Sequence, residues 1–437
     1  MMRAPALPLL LGAFMTVAVV LPRAAEAVII QEVTGPAGVT AWLVEDYTVP
    51  IVSMNFAFRG GASQDADDKA GLANLMSGLL DEGAGPLDSR AFQARLEDLN
   101  VSLSFDAGTD AFYGNFRSLA QNRDEAFELV RLSVNEPRFD EEAVTRIRGQ
   151  VTAGLRRAET DPNELASKVW AKTMFGSHPY GRPSEGTVES VAAITAEDLR
   201  TFADRTLARD NLFVVVVGAI SAEDTKAALD TIFENLPEKS DLVPVAETKP
   251  AIGQVVHEEL AVPQSAIRLG GPGLKRQNPD FIPAYVADHI LGGGTFSSRL
   301  YTTVREERGL AYSVGTSLYP YDHAGAFVAA TSTDANKAET ALALMLEEIK
   351  RFGEEGPTEK ELAEAKDYLV GNFALRFDSS QKIARNLLGF QLDGLGIDYI
   401  TRRNDLVRGV ELEDVNRVAR ELFTKPLTVV TVGPAAS

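Results

Sequence analysis

Hydrophobic and polar residues follow the same order twice along this chain. Residues 54–83 and residues 266–295 each run from an apolar strand through a Gly-Gly turn and a polar loop into an apolar helix that ends at glycine. Each half then closes on a matching apolar strand, at 212–221 and at 427–436. Because the copies lie about 212 to 215 residues apart, the pattern predicts two tandem domains of one fold.

The shorter patterns within each half predict a sheet and a set of helices. Strands that alternate apolar with small or polar residues have one buried face, as in antiparallel sheets, and long helical patterns follow at 122–135, 140–158 and 162–175. We therefore predict an α+β fold in which each domain is an antiparallel-rich sheet with helices packed on one side. Two such domains facing each other would form a clamshell around a cleft.

The chain length and composition divide the sequence into four parts. A chain of 437 residues with 45% apolar composition is too long for one hydrophobic core. Residues 237–252 mix proline, charge and small side chains without a period, as interdomain linkers do. We predict an N-terminal domain at 28–236, this linker, and a C-terminal domain at 253–437, preceded by a signal peptide at 1–27.

The first 27 residues have the three parts of a secretory signal. Arg3 provides the positive charge, residues 9–21 form an apolar run, and Ala25-Glu26-Ala27 is a small-x-small cleavage site. A membrane anchor is the alternative, but this run is shorter than the roughly 20 residues that span a bilayer. We expect cleavage after Ala27, a periplasmic or secreted protein, and no membrane span in the product. The absence of cysteine fits a bacterial periplasm.

The charge of the chain excludes two classes of partner. The formal net charge is −19, from 43 basic and 62 acidic residues. Such a surface repels nucleic acid and anionic lipid, so we expect neither as a partner.

One predicted helix, at 70–80, has a polar side that bears on chemistry. Its apolar residues lie at i, i+3, i+4, i+7 and i+8, the stripe of a core-facing helix. Asn74, Ser77 and Gly78 lie together off that stripe, because residues three and four apart share a helix face.

Three motifs in this order resemble a known family. They are Gly71-Leu72-Ala73 at the start of this helix, Phe139-Asp140-Glu141-Glu142 at the start of a later one, and His178-Pro179-Tyr180-Gly181-Arg182-Pro183 with Gly186-Thr187. Together they resemble the pitrilysin/insulinase metallopeptidases, in the branch that contains mitochondrial processing peptidase and its small bacterial relatives. The resemblance covers nearly the whole chain after residue 27.

The resemblance implies a zinc site whose residues have been replaced. Active members have His-x-x-Glu-His on the first helix, where two histidines hold zinc and the glutamate activates water. Here those positions are Asn74, Ser77 and Gly78, and the family's third ligand, a glutamate, falls at Gly154. We therefore expect no metal and no other cofactor in this chain.

Zinc ligands from elsewhere in the sequence are disfavoured. The four histidines, His178, His257, His289 and His323, include no pair spaced for one helix, and there is no cysteine. We interpret His178, which precedes Pro179, as a solvated or hydrogen-bonded histidine.

The second half matches the family most densely at 292–314. In the zinc enzymes that it resembles, an arginine and a tyrosine at the positions of Arg305 and Tyr312 reach the substrate carbonyl beside the metal, where negative charge develops on oxygen. The alternative is a solvated helix charge and an ordinary strand aromatic. Gly292, Gly293 and Gly294 resemble a shortened form of the family's glycine-rich substrate loop, although a helix C-cap and tight turn explains them equally well.

In heterodimeric members of the family that this chain resembles, one subunit holds zinc and the other has lost the metal ligands but keeps the arginine and tyrosine, so the resemblance implies a divided enzyme. Our leading hypothesis is the noncatalytic, zinc-free subunit of a heterodimeric periplasmic zinc endopeptidase, inactive alone. Its Arg305 and Tyr312 would act on peptide substrates at the zinc site of a partner from the same family. The alternative is a nonenzymatic scaffold or peptide-binding protein with the same fold. A hydrolase with another nucleophile is disfavoured, because no Gly-x-Ser-x-Gly motif is present.

Overall fold

The computed structural model describes residues 29–435. The predicted signal peptide lies outside the described residues. No helix between residues 29 and 435 is long and apolar enough to cross a membrane.

Six strands of the first half form one sheet. In chain order they are β1 (Gln31–Thr34), β2 (Thr40–Glu45), β3 (Ile51–Arg59), β6 (Ser102–Ala107), β7 (Ala111–Leu119) and β8 (Leu212–Gly218), with a short ribbon of β4 (Gly83–Ala84) and β5 (Leu87–Asp88) apart from them. Their order in the sheet is β1-β2-β8-β3-β7-β6. Only the β2 and β8 pair is parallel among these neighbours.

Five strands of the second half repeat that arrangement. They are β9 (Val255–Glu259), β10 (Gln264–Pro272), β11 (Ala311–Tyr321), β12 (Ala324–Asp334) and β13 (Thr428–Gly433). Their order is β11-β12-β10-β13-β9, and again one pair, β13 and β9, is parallel. The central strands β3 and β10 begin at residues 51 and 264 and have equivalent neighbours. The sequence repeat is therefore a repeat of the fold.

Fourteen α-helices lie in the described range. In the first half they are α1 (Leu72–Ser77), α2 (Ser89–Asp98), α3 (Arg123–Asn135), α4 (Glu141–Ala158), α5 (Pro162–Phe175), α6 (Val188–Ala193), α7 (Ala196–Thr206) and α8 (Ala222–Phe233). In the second half they are α9 (Phe281–Asp288), α10 (Ala338–Glu355), α11 (Glu359–Phe373), α12 (Ser380–Leu392), α13 (Tyr399–Arg408) and α14 (Leu412–Phe423). The predicted α+β class is confirmed.

Each sheet buries one face against helices of its own half. In the first half, Phe56 of the sheet packs among helix residues such as Leu75 and Phe233. In the second half, Phe327 of the sheet contacts Phe423 of α14, with ring centroids 4.8 Å apart. These side chains are almost completely buried, so each half has a core of its own.

The two halves exchange one helix each. Helix α5 of the first half lies on the other face of the second sheet, where Trp170 joins a cluster with Val430. Helix α12 of the second half lies on the first sheet, where Leu387 joins a cluster with Val215. Because α5 and α12 follow α4 and α11 at equivalent places, the exchange is reciprocal. The second face of each sheet is thus covered by the opposite half.

The segment at 237–252 contains no helix or strand and is held to both halves. The side chain of Gln64 donates to the Val243 carbonyl at 3.0 Å and accepts from the Val243 N–H at 2.7 Å. Further on, the Thr248 N–H donates to the carbonyl of His323, in the second half, at 2.9 Å.

The helix predicted at 70–80 is shorter than expected. Helix α1 has six residues and begins after Gly71, whose φ of 91° lies in the left-handed region. Beyond Ser77 the backbone changes to turns, because the Leu79 N–H bonds the Met76 carbonyl and the Glu82 N–H bonds the Leu79 carbonyl. Residues 78–82 are therefore outside the helix, although Leu79 and Leu80 are still buried.

Candidate functional site

A buried carboxylate fixes the start of α1. Asp65 accepts hydrogen bonds from the backbone N–H groups of Gly71, Leu72 and Ala73 at 2.8, 3.2 and 3.0 Å. These are donors that a helix start otherwise leaves unpaired. Burial raises the pKa of Asp65 to about 7, although the three backbone donors oppose that shift. The cap sets the position of the helix that includes Asn74.

The four positions matched to the zinc site lie together between α1 and α4. Asn74 and Gly154 line one cavity of about 450 Å³. Gly78 faces α4, since a Cβ atom added to it would lie 3.1 Å from Cγ2 of Ile147. Ile147 and Gly154 are two turns apart on one face of α4. The structure thus brings together the residues that the sequence placed in separate motifs.

These residues do not fit a zinc ion. The Ser77 hydroxyl donates to the Asn74 carbonyl at 2.8 Å, and the two glycines have no side-chain donor atom. Zinc in proteins is held by imidazole, thiolate or carboxylate groups, of which these four positions have none. Between residues 29 and 435, no group of three or more His, Cys, Asp or Glu residues is arranged to hold a metal.

The histidines serve other contacts. His178 Nε2 lies 2.8 Å from the Ala246 carbonyl oxygen, and its Nδ1 accepts from the Tyr180 N–H at 3.2 Å. The expectation of a hydrogen-bonded histidine is confirmed. The other three lie beside different partners: His257 beside Thr431, His289 stacked on Tyr368, and His323 beside Glu247.

Arg305 and Tyr312 lie side by side in the second half. Arg305 is on a π-helical segment, Tyr301–Glu306, and its guanidinium carbon is 5.3 Å from the centre of the Tyr312 ring. Tyr312 is 85% exposed and lies near the start of β11, an edge strand. Tyr312 therefore faces the exterior of the chain, whereas Arg305 is half-buried beside it.

Tyr301 is a further member of this group that the sequence reasoning missed. Its ring centre lies 4.8 Å from the Arg305 guanidinium carbon, and its hydroxyl accepts a hydrogen bond from Arg305 Nη1. Tyr301 is buried, whereas Tyr312 is exposed, so Arg305 is held between a fixed ring and a solvated one. The spacing of four residues between Tyr301 and Arg305 on a helical segment would have indicated this contact.

The three glycines end the π-helical continuation of α9, His289–Gly293. A Cβ atom added to Gly292 would lie 2.6 Å from the Thr316 side chain, and one added to Gly293 would lie 2.7 Å from Asp288 Oδ2. Gly294 closes the segment through its N–H, which donates to the His289 carbonyl at 2.8 Å. Close packing therefore excludes larger side chains at these glycines.

The two sets of predicted residues are not brought together within one chain. The cavity beside Asn74 and Gly154 is lined by residues of the first half alone, and neither Arg305 nor Tyr312 contributes to it. The cavity at the degenerate metal positions and the Arg305–Tyr312 pair are therefore two separate places on the chain.

Family profiles match both halves of the chain. Residues 41–188 match the insulinase profile of peptidase family M16, and residues 193–369 match the profile described as the peptidase M16 inactive domain. This chain belongs to peptidase family M16. The resemblance inferred from the sequence motifs is confirmed.

Relatives within M16 have names of two kinds. The chain is 28% identical to the "Non-peptidase homolog YmxG" of Helicobacter pylori, with 93% of each chain covered. It is 23% identical to the "Uncharacterized zinc protease YmxG" of Bacillus subtilis, covering 93% of this chain and 99% of that one. Among solved structures, a peptidase M16 inactive domain from Pseudomonas fluorescens is similar with a TM-score of 0.87 and 28% identity, over 93% of this chain and 99% of that chain.

Proposed function

We propose that this chain is the noncatalytic, zinc-free subunit of a heterodimeric, exported M16 endopeptidase. In this assignment the partner, a zinc-bearing subunit of the same family, binds the metal and activates water. Arg305 and Tyr312 of this chain donate hydrogen bonds to the substrate carbonyl oxygen as negative charge develops on it. The substrates are peptides. The chain is exported, and its mature form begins after Ala27 and has domains at 28–236 and 253–437.

The observation that supports the proposal most directly is that the metal-binding residues are replaced while the arginine and tyrosine are present. The metal positions Asn74, Ser77, Gly78 and Gly154 have lost every zinc-binding group. Arg305 and Tyr312 remain paired, and Tyr312 is 85% exposed. A half-buried guanidinium beside an exposed phenol, neither of which lines the cavity at Asn74 and Gly154, suits a surface that completes the site of another subunit.

A second candidate is a nonenzymatic scaffold or peptide-binding protein. It is favoured by the name of the H. pylori relative, which is a non-peptidase homolog. The two candidates differ in what Arg305 and Tyr312 do once a partner is bound.

The test begins with purification of the tagged chain from its native cells together with any M16 partner. We expect the chain alone to contain no stoichiometric zinc by elemental analysis and to cleave no peptide. We expect the reconstituted pair to contain zinc and to cleave peptide. In the pair, Arg305→Ala combined with Tyr312→Phe should lower kcat/KM for peptide about 10²-fold to 10³-fold, the usual cost of lost oxyanion donors. Association of the subunits should be unchanged.

Arg308→Ala is the matched control, because Arg308 is an exposed arginine three residues further along whose ion pair is with Glu307. It should leave kcat/KM unchanged. Zinc-dependent cleavage by the chain alone would contradict the proposal. An unchanged kcat/KM in the double variant, with association intact, would favour the scaffold instead.

A further inference from the structure

A second cavity lies beside the one at Asn74, where the two halves of the chain meet. It measures about 310 Å³ and is lined by Lys168 and Trp170 of α5, by Arg268 of β10, and by Tyr319 and Tyr321 of β11. We call it the Arg268 pocket. Glu164 and Glu185 line both cavities, so the two open into one groove.

Arg268 is unusual among the arginines of the described chain. Between residues 29 and 435, every other arginine that is not solvent-exposed has a hydrogen bond or ion pair to a protein group. Arg268 is half-buried and has none within that range. Its nitrogen atoms are not enclosed by protein, so its N–H donors are directed to the water of the cavity. A guanidinium in this condition is available for an anion.

The other charges of the pocket leave Arg268 without a carboxylate. Lys168 is also half-buried and has no hydrogen bond or ion pair in the described chain. Asp65 uses its carboxylate on the backbone of α1, and burial raises its pKa to about 7. Glu164 and Glu185 are solvent-exposed, where water screens their charge.

The neighbouring aromatic rings form a preorganised wall. The rings of Tyr180 and Tyr321 are stacked with centroids 4.7 Å apart, and Phe175 meets Tyr321 edge-on at 5.7 Å. Trp170 and Tyr319 have centroids 6.4 Å apart at an angle of 69°. Such mutual packing fixes ring positions. A pocket at the small end of the usual range of roughly 300 to 1,000 Å³ suits a group the size of one side chain.

We propose that the Arg268 pocket binds a carboxylate joined to an apolar or aromatic group, presented by a peptide. The planar fork of Arg268 can form two parallel hydrogen bonds to one carboxylate, Lys168 adds a second positive charge, and the aromatic wall covers the attached apolar group. Either the C-terminus of a peptide or an acidic side chain supplies this chemistry. The site belongs to the single chain and does not depend on a zinc-bearing partner.

Calorimetric titration of the purified chain tests the proposal with two small probes. N-acetyl-L-phenylalanine has the carboxylate, and N-acetyl-L-phenylalaninamide has the same ring without the charge. We expect the acid to bind at least tenfold more tightly than the amide. Arg268→Gln should weaken binding of the acid about tenfold to a hundredfold, the range for lost hydrogen bonds to a charged group.

Arg117→Gln is the matched control, because Arg117 is an exposed arginine of β7 with no ion pair in the described residues. It should leave the affinity unchanged. Circular dichroism and the melting temperature verify folding of each variant. If Arg268→Gln does not fold, Lys168→Gln takes its place and should weaken the acid several-fold. Equal affinity for acid and amide, or an unchanged affinity in the folded Arg268→Gln variant, would overturn the proposal.

Three octapeptides identify the source of the carboxylate. The first has a free C-terminus and no acidic residue, the second is its C-terminal amide, and the third is an amide with one internal aspartate. Arg268-dependent binding of the first alone supports a C-terminal site, and binding of the third supports an acidic side chain. Binding of all three with equal affinity, or of none, would refute a carboxylate pocket for peptides.

Discussion

Restoring the metal ligands is the most direct perturbation of the degenerate zinc site. The variant Asn74→His, Gly78→His, Gly154→Glu places two imidazoles four residues apart and a carboxylate on α4. Ser77 is left unchanged, because the glutamate at its position in active members activates water and does not hold the metal. We expect this variant to bind one zinc ion per chain, because the structure already places the three positions between α1 and α4.

The structure gives the approximate cost of the two glycine replacements in the metal-free state. No atom lies within 4 Å of a Cβ atom added to Gly154, and replacing a helix glycine by glutamate contributes about 0.5 kcal/mol of stability. Gly78 has a φ of −83°, so histidine meets no backbone strain there. Its Cβ atom would lie 3.1 Å from Ile147 Cγ2, and such overpacking costs about 1–3 kcal/mol.

Zinc should offset that cost. A ligand at a hundred times its Kd that binds only the native state adds about 2.7 kcal/mol. The apo variant is therefore expected to be less stable than wild type by about 0.5–2.5 kcal/mol, the crowding at Gly78 less the gain at Gly154, and the zinc-loaded variant to be at least as stable as wild type. Adding Ile147→Leu, which removes the Cγ2 methyl, should relieve the crowding at a cost below about 1.5 kcal/mol.

The assay combines elemental analysis after gel filtration with urea unfolding at several zinc concentrations. Wild type should contain no zinc and show no zinc-dependent change in its unfolding midpoint. The variant Asn74→His, Gly78→His alone, which lacks the carboxylate, should bind more weakly than the triple variant. A folded triple variant without zinc would refute the alignment of Gly154 with the third ligand. One zinc ion retained by wild type would refute the argument from the missing donors.

Two further predictions concern stability. Leu387→Ala should lower the free energy of unfolding by about 2–5 kcal/mol, because this side chain of the exchanged helix α12 is fully buried on the first sheet. The control Leu375→Ala, at a position 64% exposed, should change the free energy of unfolding by less than about 0.5 kcal/mol. Equal effects of the two variants in urea unfolding would contradict the exchange. Glu361 has a pKa of about 2, since hydrogen bonds from Arg299 and Thr358 lower the pKa more than burial raises it. The stability from this carboxylate is present above its unfolded pKa of about 4.3 and lost as the pH falls towards 2. Acid should therefore destabilise wild type more than Glu361→Gln. Parallel curves of unfolding free energy against pH for the two proteins would exclude a stabilising role of the ionised Glu361.

The exchanged helices affect how the halves can move. Clusters around Trp170 and Leu387 join the two halves through apolar contacts in both directions, and a large apolar interface resists relative motion of domains. The relative position of the halves is therefore fixed by contacts within the chain itself.

The sequence determined the properties that depend on local pattern and on residue chemistry. Hydrophobic periodicity is local, so the tandem repeat, the two sheets and the α+β class were predictable from it. The lack of zinc ligands at Asn74, Ser77, Gly78 and Gly154 is equally a matter of residue type, since no fold gives an amide or a glycine the chemistry of an imidazole.

Only the tertiary structure decided which distant residues meet. The six-residue length of α1 depends on the cap from Asp65 and on turns that periodicity does not reveal. The exchange of α5 and α12 depends on which sheet face each apolar stripe covers, and a stripe by itself does not specify the sheet against which it packs. The unpaired state of Arg268 likewise depends on every chain segment around it, because a charge is paired or free according to contacts between residues far apart in sequence.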